Sequence, residues 1–354
     1  MLVNKLIEQG FLSKDEYITL LGNYTEEQRL RLQAKAVELR KQYYGNKVFV
    51  RGLIEFTNYC KNNCYYCGIQ ASNGDAKRYR LTKEEILECC DTGWELGFRT
   101  FVLQGGEDPF FTDDQIVDIV REIKKKYPES AVTLSIGEKT KESYLRYKEA
   151  GADRYLLRHE TADDEHYRML HPESMSLANR KNCLYTLKEL GYETGAGFMV
   201  GSPGQTDKCL AEDLVFLKEL NPHMVGIGPF IPHHETRFAN EQPGSLEKTL
   251  LLLSILRIIL PKANLPATTA LGTVNPRGRE LGIEAGANVV MPNLSPVKVR
   301  KKYELYNHKI CTGEEAAECA VCLSKRMASV GYEVVAERGD SVAKKRKVEK
   351  YEFN

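Results

Sequence analysis

The residues best suited to carry chemistry are three closely spaced cysteines, Cys60, Cys64 and Cys67. Thiolates are soft ligands that suit iron–sulfur clusters and zinc. Three thiolates on one loop can bind three corners of a [4Fe–4S] cubane and leave the fourth iron open to another ligand. Zinc with a fourth ligand from elsewhere is the alternative, although no neighbouring cysteine or histidine completes such a site. The spacing therefore favours a cluster with an open iron.

A second cysteine group lies near the end of the chain and consists of Cys311, Cys319 and Cys322. Its spacing can hold a second iron–sulfur cluster, [2Fe–2S] or [4Fe–4S], and a structural zinc site is the alternative. Because the group follows the last predicted strand, we expect it near the surface and away from the mouth of the predicted barrel. The remaining cysteines fall in helix-like stretches and are predicted to be buried apolar thiols; they are Cys89, Cys90, Cys183 and Cys209.

Polar residues gather at the ends of apolar, strand-like segments. Gln104-Gly105-Gly106-Glu107 ends one of them, and its glycines allow the backbone to approach a ligand closely. The other strand-end polar residues are Thr133, Ser135, Arg158, Glu160, Thr268, Thr269 and Asn293. An arginine directed into a closed sheet is costly unless an anion meets it. The alternative is an Arg–Glu pair that merely closes the rim.

The elements that must position these residues alternate between apolar, β-branched strands and amphipathic helices. The eight predicted strands are Val48–Phe56, Thr100–Gln104, Val132–Gly137, Arg154–His159, Thr194–Val200, Met224–Phe230, Pro266–Leu271 and Ala287–Pro292. Helices of crossover length lie between them, and Thr82 with Glu85 forms a capping box at the start of one. This alternation predicts a closed (β/α)8 barrel of the TIM type, with its active site at the carboxyl ends of the strands. An open doubly wound sheet is the alternative.

The segments on either side of the predicted barrel and the composition of the chain limit its possible functions. We expect a helical extension over residues 1–46, the barrel over 47–293, and an appendix over 294–354 that ends in a solvated basic tail from Lys344 to Lys347. The formal net charge of +1 argues against nucleic acid or an anionic membrane as the main partner. The longest apolar run, Leu250–Leu260, is interrupted by Ser254 and Arg257. With no signal-peptide pattern at the start, a cytoplasmic location is expected.

The first cysteine group, with the aromatic Tyr66 directly before its last cysteine, resembles the signature of the radical SAM superfamily. The resemblance implies that the open iron binds the amino and carboxylate groups of S-adenosylmethionine (SAM). One electron passed through the cluster then breaks a carbon–sulfur bond and yields a 5′-deoxyadenosyl radical. Gly105, Gly106 and Glu107 match the Gly-Gly-Glu motif of the superfamily and are expected to bind the methionyl amine of SAM.

Longer stretches within residues 45–325 resemble the HydE maturases of [FeFe]-hydrogenase, in the biotin synthase-like branch of the superfamily. The resemblance implies that Ser135, Glu160 and Arg180 also contact SAM, with Arg180 on its carboxylate. It further implies an inner cavity for a second substrate, although the two methionines among its predicted wall residues could equally be core. The predicted walls are Thr133, Arg158, Met224, Thr268, Thr269, Met291 and Tyr303.

The role implied for such a maturase is a step in building the diiron subcluster of the hydrogenase H-cluster. Its implied substrate is an organometallic Fe(CO)2(CN)–cysteine species supplied by the partner maturase HydG. HydF is a further implied partner, and a ferredoxin or flavodoxin is the implied electron donor. Three alternatives stay open: biotin synthase chemistry, methylornithine synthase chemistry, and an iron–sulfur scaffold without radical chemistry.

Overall fold

The computed structural model describes residues 1–313 and 316–344, without the side chains of residues 316–319. Its strands are β1 (Lys47–Val50), β2 (Gly52–Thr57), β3 (Thr100–Gly105), β4 (Ala131–Ser135), β5 (Arg154–Leu156), β6 (Glu193–Ala196), β7 (Met199–Val200), β8 (Met224–Val225), β9 (Gly228–Pro229), β10 (Val289–Val290) and β11 (Glu333–Val335). The basic-tail residues Lys345, Arg346 and Lys347 and the side chain of Cys319 lie outside the described part.

The helices lie mostly between successive strands. They are α1 (Leu2–Gln9), α2 (Lys14–Asn23), α3 (Glu26–Tyr44), α4 (Lys83–Glu95), α5 (Asp113–Lys126), α6 (Lys141–Glu149), α7 (Asp164–Leu170), α8 (Leu177–Glu189), α9 (Asp207–Leu220), α10 (Leu246–Ile259), α11 (Thr269–Val274), α12 (Gly278–Glu284), α13 (Val297–Arg300) and α14 (Ala316–Ala328). The predicted capping box at the start of α4 is confirmed: Thr82 Oγ1 accepts from Glu85 N at 3.2 Å, and the Glu85 carboxylate accepts from Thr82 N at 3.0 Å.

The strands form a closed ring. Six of them pair in the order β2, β3, β4, β5, β6, β8, and every pairing is parallel. The ring continues through bridges of Met224 with Asn264 and of Pro266 with Val289 in β10, and it closes where Asn293 pairs with Leu53 of β2. The prediction of a closed barrel is therefore confirmed over the open doubly wound sheet. Because all strands run the same way, their carboxyl ends meet at one mouth.

Four strand predictions need correction. The fifth is divided into β6 and β7 and the sixth into β8 and β9, and β7 and β9 pair with each other in a separate sheet. The first predicted strand is divided at Arg51: its first half, β1, pairs with β10 and with β11, a strand that the sequence pattern did not reveal. The seventh is wrong beyond Pro266, because Thr268 is the N-cap residue of α11 and Thr269 begins that helix. Neighbouring β-branched threonines are typical of strands, but threonine is also a common residue at a helix start.

The apolar run at 250–260 is a buried helix, α10, that packs between the barrel and α3. Its Arg257 is fully buried and donates to the carbonyl oxygens of Gly286 (2.9 Å) and Ala263 (2.7 Å) and to Asn288 Oδ1 (2.9 Å). The arginine is thus satisfied inside the protein by fixed acceptors. Among the described residues, no helix combines the length and apolarity that a membrane crossing requires.

The amino-terminal end of the barrel is closed by the appendix. Arg154 of β5 and Glu193 of β6 form a buried ion pair there, and both side chains have zero solvent exposure. Arg154 also donates to Asp340 Oδ1 at 2.6 Å and to Arg338 O at 2.9 Å, and Glu193 Oε1 accepts from Ser341 N at 2.9 Å. The appendix residues therefore complete a charge network that would otherwise be buried and unsatisfied.

We expect this network to be essential for stability. Glu193→Leu leaves Arg154 buried without its main partner, which should lower the free energy of unfolding by about 3–5 kcal/mol, measured by urea unfolding. Glu189→Leu is the control, because Glu189 pairs with Lys141 at 2.8 Å on the surface, with side chains 66% and 53% exposed. Its loss should stay below about 1 kcal/mol. Equal losses in the two variants would contradict this view of the network.

Candidate active site at the barrel mouth

The first cysteine group lies on the loop between β2 and α4, at the mouth, and all three thiols are half-buried. Arg78 holds this loop in shape. Its Nη1 donates to the carbonyl oxygens of Asn58 (2.6 Å) and Ile69 (2.9 Å), and its Nη2 donates to those of Gln70 (2.6 Å) and Asn73 (3.1 Å). One guanidinium group thus ties together four points of a loop that has no regular structure of its own.

The environment of the three thiols suits a metal cluster. Burial raises the pKa of Cys60, raises that of Cys64 further, and raises that of Cys67 to about 12. The bare thiols therefore keep their protons at neutral pH, and bound iron would supply the positive charge that displaces them. Within the described residues, no three His, Cys, Asp or Glu side chains converge on a single metal ion. A cubane binds each cysteine through a different iron, so its ligands stand further apart than those of one zinc ion.

The Gly-Gly-Glu segment after β3 packs directly on the cysteine loop. A Cβ atom on Gly106 would lie 2.2 Å from Tyr59 O and 2.7 Å from Cys60 Cβ, so only glycine fits there. Lys61 N donates to Glu107 O at 2.9 Å. Next to this contact, Asp108 accepts from Thr57 Oγ1 at 2.7 Å and from both Nε (2.7 Å) and Nη2 (2.9 Å) of Arg80. The two loops are therefore fixed to each other.

Glu107 has its carboxylate largely buried beside the cysteine loop, with 8% of the residue exposed. Its Oε1 accepts from Glu138 N at 2.9 Å, and its Oε2 lies 3.3 Å from Lys61 Nζ. Gly137 leaves the room for this carboxylate, because a Cβ atom there would lie 2.0 Å from Glu107 Cγ. The contact with Lys61 shows that this carboxylate can receive an ammonium group.

Glu160 and Arg158, just beyond the end of β5, form an ion pair whose hydrogen bonds are incomplete. Arg158 Nη2 lies 3.1 Å from Glu160 Oε2, the rim contact considered as an alternative above. The two atoms are not aligned for a hydrogen bond, and Glu160 Oε2 and Arg158 Nε and Nη2 are all shielded from solvent without a hydrogen-bond partner. Arg180 adjoins them and donates to Glu138 Oε1 at 2.5 Å and to Arg158 O at 2.8 Å. Buried polar atoms without partners indicate a place for a ligand.

Two of the predicted cavity walls also have buried polar atoms without hydrogen-bond partners. The hydroxyl groups of Thr133 and Thr268 are buried and have no hydrogen-bond partner. Tyr303 OH, by contrast, accepts from Gln104 Nε2 at 3.3 Å, and Met224 Sδ accepts from Arg51 Nη1 at 2.8 Å. Ser135, Thr269 and Met291 are half-buried. Ser135 pairs with Gln104 at the end of β4, Thr269 begins α11, and Met291 packs on the apolar cluster of Phe49 and Val289.

The sequence reasoning missed an ion pair inside the mouth. Lys309 Nζ lies 2.5 Å from Glu55 Oε1 and donates to Tyr303 O at 2.9 Å, and both charged side chains are almost fully buried. Asn293 Nδ2 donates to the other Glu55 oxygen at 2.8 Å. No spacing pattern in the sequence predicts that Glu55 pairs with a lysine more than 250 residues later. The only signal was the presence of a charged residue within an otherwise apolar strand.

The second cysteine group begins two residues after Lys309. Cys311 Sγ accepts from Arg279 Nη2 at 3.3 Å, and Cys322 is exposed on α14. Cys311 is half-buried, and it follows closely after Lys309, whose ammonium group lies inside the mouth.

Comparison with known proteins decides the family. Residues 54–217 match the model of the Radical SAM superfamily. The chain is 53% identical to the [FeFe] hydrogenase maturase subunit HydE of Thermotoga maritima over 296 residues, 84% of each chain. It belongs to the HydE family of radical SAM enzymes.

It is also 33% identical to 3-methylornithine synthase of Methanosarcina acetivorans over 81% of each chain. The crystal structure of methylornithine synthase PylB superposes with a TM-score of 0.83 at 30% identity, covering 95% of this chain and 97% of that one.

Membership in the radical SAM superfamily implies a [4Fe–4S] cluster and SAM as cofactors. The mouth fits both groups. Its three half-buried thiols share one loop, the carboxylate of Glu107 follows β3, and the atoms of Glu160 and Arg158 without hydrogen-bond partners follow β5. The interpretation of the first cysteine group as a cluster site thus agrees with the family.

The contact between Gly106 and the cysteine loop gives a direct test. In Gly106→Ala, the new methyl group meets the backbone of Tyr59, which cannot turn aside as a flexible side chain would. We expect the loop to shift and the anaerobically reconstituted protein to bind far less iron per chain. Gly74→Ala is the matched control on the same loop, because a Cβ atom at Gly74 meets nothing within 4 Å. Equal iron contents in the two variants would show that the packing of Gly106 does not shape the site.

Proposed function

We propose that this chain is a maturase that cleaves SAM reductively and uses the 5′-deoxyadenosyl radical in assembling the diiron subcluster of the [FeFe]-hydrogenase H-cluster. The observation that carries the proposal is the 53% identity to the HydE subunit of Thermotoga maritima over 84% of both chains. The mouth described above supports it, because the cysteine loop, Glu107 and a set of unsatisfied polar atoms converge there.

The residues of the mouth divide into two groups by role. Cys60, Cys64 and Cys67 would hold three irons of the cluster, which when bound supplies the electron that breaks a carbon–sulfur bond of SAM. Glu107 would accept the hydrogen bonds of the methionyl ammonium group, for which its carboxylate is already fixed by Glu138 N. Arg180, held by the Glu138 carboxylate, would orient the SAM carboxylate, and Glu160 and Ser135 would complete the contacts.

The second substrate would lie deeper in the barrel. Arg158, Thr133 and Thr268 offer a cation and two hydroxyl donors whose hydrogen bonds are unmade, a set that suits an anionic Fe(CO)2(CN)–cysteine species. Thr269, Met224, Met291 and Tyr303 would form the remaining walls, which exclude water from the radical. An unsatisfied buried donor is costly, so a bound anion is the natural partner for this set.

The proposal also includes the partner proteins and the cellular location. HydG would supply the substrate, HydF would take part in the same assembly, and a ferredoxin or flavodoxin would deliver the electron in the cytoplasm. Cys311, Cys319 and Cys322 would hold an accessory second cluster, [2Fe–2S] or [4Fe–4S], without a catalytic role.

A second candidate function follows from one specific observation, the TM-score of 0.83 to methylornithine synthase. Conversion of lysine by the purified, reconstituted protein would favour that function over the maturase, and conversion of dethiobiotin would favour biotin synthase chemistry. We expect neither conversion, because the identity to the Thermotoga subunit, at 53%, exceeds the 33% to methylornithine synthase.

The maturase function is tested by activation of an apo-hydrogenase in vitro with HydG, HydF, SAM and a reductant. We expect activation to collapse when this chain is omitted. Cys64→Ser should fail to restore activation and should release no 5′-deoxyadenosine, because the variant lacks one of the three cluster thiolates.

Cys183→Ser is the control, since Cys183 is buried on α8 as a structural thiol. It should retain both activities. Full activation without this chain would refute the maturase function, and SAM cleavage by Cys64→Ser would refute the assignment of the cluster ligands.

A further inference from the structure

The backbone of Glu160 has an unusual conformation for its residue type. Its φ angle is +66°, in the left-handed region that non-glycine residues seldom adopt. Such a conformation persists only where the surrounding structure over-determines it, and it concentrates at sites that bind ligands. Glu160 is 9% exposed and keeps Oε2 without a hydrogen-bond partner. The left-handed turn therefore holds at the mouth a buried carboxylate that is paired with Arg158 at 3.1 Å but has no hydrogen bond to Oε2.

The main-chain part of this turn is held by Gly197. Its carbonyl oxygen accepts from both His159 N (2.9 Å) and Glu160 N (3.0 Å), and Met199 N donates to Glu160 O at 3.2 Å. Gly197 has no alternative, because a Cβ atom there would lie 1.9 Å from Gly226 O. These contacts fix one side of the turn and leave the His159 ring and the chain after Glu160 to be held by something else.

Asp213, on α9, holds both of them. Gly197 N donates to His159 Nδ1 at 3.3 Å, so the ring proton lies on Nε2, which donates to Asp213 Oδ1 at 3.1 Å. The same oxygen accepts from Ala162 N at 2.6 Å. One carboxylate thus grips the residue before Glu160 and the chain two residues after it. His159 and Asp213 are both fully buried.

The surroundings of this pair indicate that stability alone does not explain it. On α9, Asp213 lies among the buried apolar residues Leu210, Leu214, Phe216 and Leu217. Burial raises the pKa of Asp213 and lowers that of His159, and Asp213 Oδ2 has no hydrogen-bond partner. Well-packed apolar residues at such a pair are often as stable or more stable. Unlike apolar residues, this pair provides directional hydrogen bonds that hold the turn.

We propose that His159 and Asp213 are positioning residues for SAM: they hold the left-handed turn that aims the Glu160 carboxylate at the cofactor. The inference rests on the role proposed above for Glu160 as a SAM contact. It adds a determinant of SAM affinity on an outer helix, 53 positions further along the chain than Glu160.

The test measures the dissociation constant for radiolabelled SAM by equilibrium dialysis of the reconstituted protein. In Asp213→Ala both hydrogen bonds to Oδ1 are lost, and we expect the constant to rise about tenfold or more, with iron content and circular dichroism unchanged. In Asp213→Asn the amide oxygen still accepts from Ala162 N and from the His159 ring, so the constant should stay within about twofold of the parent. His159→Phe keeps the ring contact with Phe216, whose centroid lies 4.9 Å away, but cannot donate. It should behave as Asp213→Ala does and serves if that variant does not fold.

A double-mutant cycle shows whether Asp213 acts through Glu160. Glu160→Ala removes the carboxylate altogether and should weaken SAM binding by itself. Adding Asp213→Ala to that variant should change the constant by no more than about twofold, because the group being positioned is already gone. The inference is overturned if Asp213→Ala binds SAM as the parent does, or weakens binding equally in both backgrounds. If Glu160→Ala binds SAM normally, the proposed contact of Glu160 fails as well, which is a different outcome.

Discussion

The parallel pairing of β2 with β3 is the constraint on which the mouth of the barrel depends. Its register places Thr57 beside Gly105, so the two chains leave their strands side by side, one into the cysteine loop and the other into Gly106 and Glu107. From there each contact follows from the one before it. Gly106 must be glycine because the loop lies against it, and Asp108 can accept from both Thr57 and Arg80 because the strands end together. A cluster loop that is irregular in itself is thus fixed by regular structure on one side and by the guanidinium group of Arg78 on the other.

Two clusters of buried polar groups in the barrel are satisfied to different degrees. Arg154 and Glu193, at the amino-terminal end, bind each other and the appendix, so their network is satisfied by the protein itself. At the mouth, Arg158 and Glu160 lie 3.1 Å apart, yet they and the hydroxyl groups of Thr133 and Thr268 keep buried atoms without hydrogen-bond partners. Leaving such atoms unsatisfied does not stabilise a protein, since each carries a desolvation penalty. The set at the mouth is therefore where we expect a ligand to complete the hydrogen bonds.

Much of this arrangement could be predicted from local sequence. The spacing of Cys60, Cys64 and Cys67 predicted the loop that we propose holds the cluster, and the alternation of strands and helices predicted the closed barrel that the structure shows. Thr268 and Thr269 were assigned to a strand because pattern alone does not show where a partner strand ends, and pairing stops at Pro266. Residues that act across the chain were out of reach. Arg78, Asp213 and Lys309 each acquire their role from contacts with acceptors in other segments, and no periodicity in one segment reports what another brings to it.

In the proposed function, three cysteines hold a cluster whose fourth iron is open to SAM. Electron paramagnetic resonance of the dithionite-reduced, reconstituted protein, recorded with and without SAM, tests this most directly. Because SAM would bind the open iron itself, we expect the g values of one [4Fe–4S]⁺ signal to shift when SAM is added, while the signal of the second cluster stays the same. A reduced protein whose whole spectrum is the same with and without SAM would contradict the presence of an open iron that binds SAM.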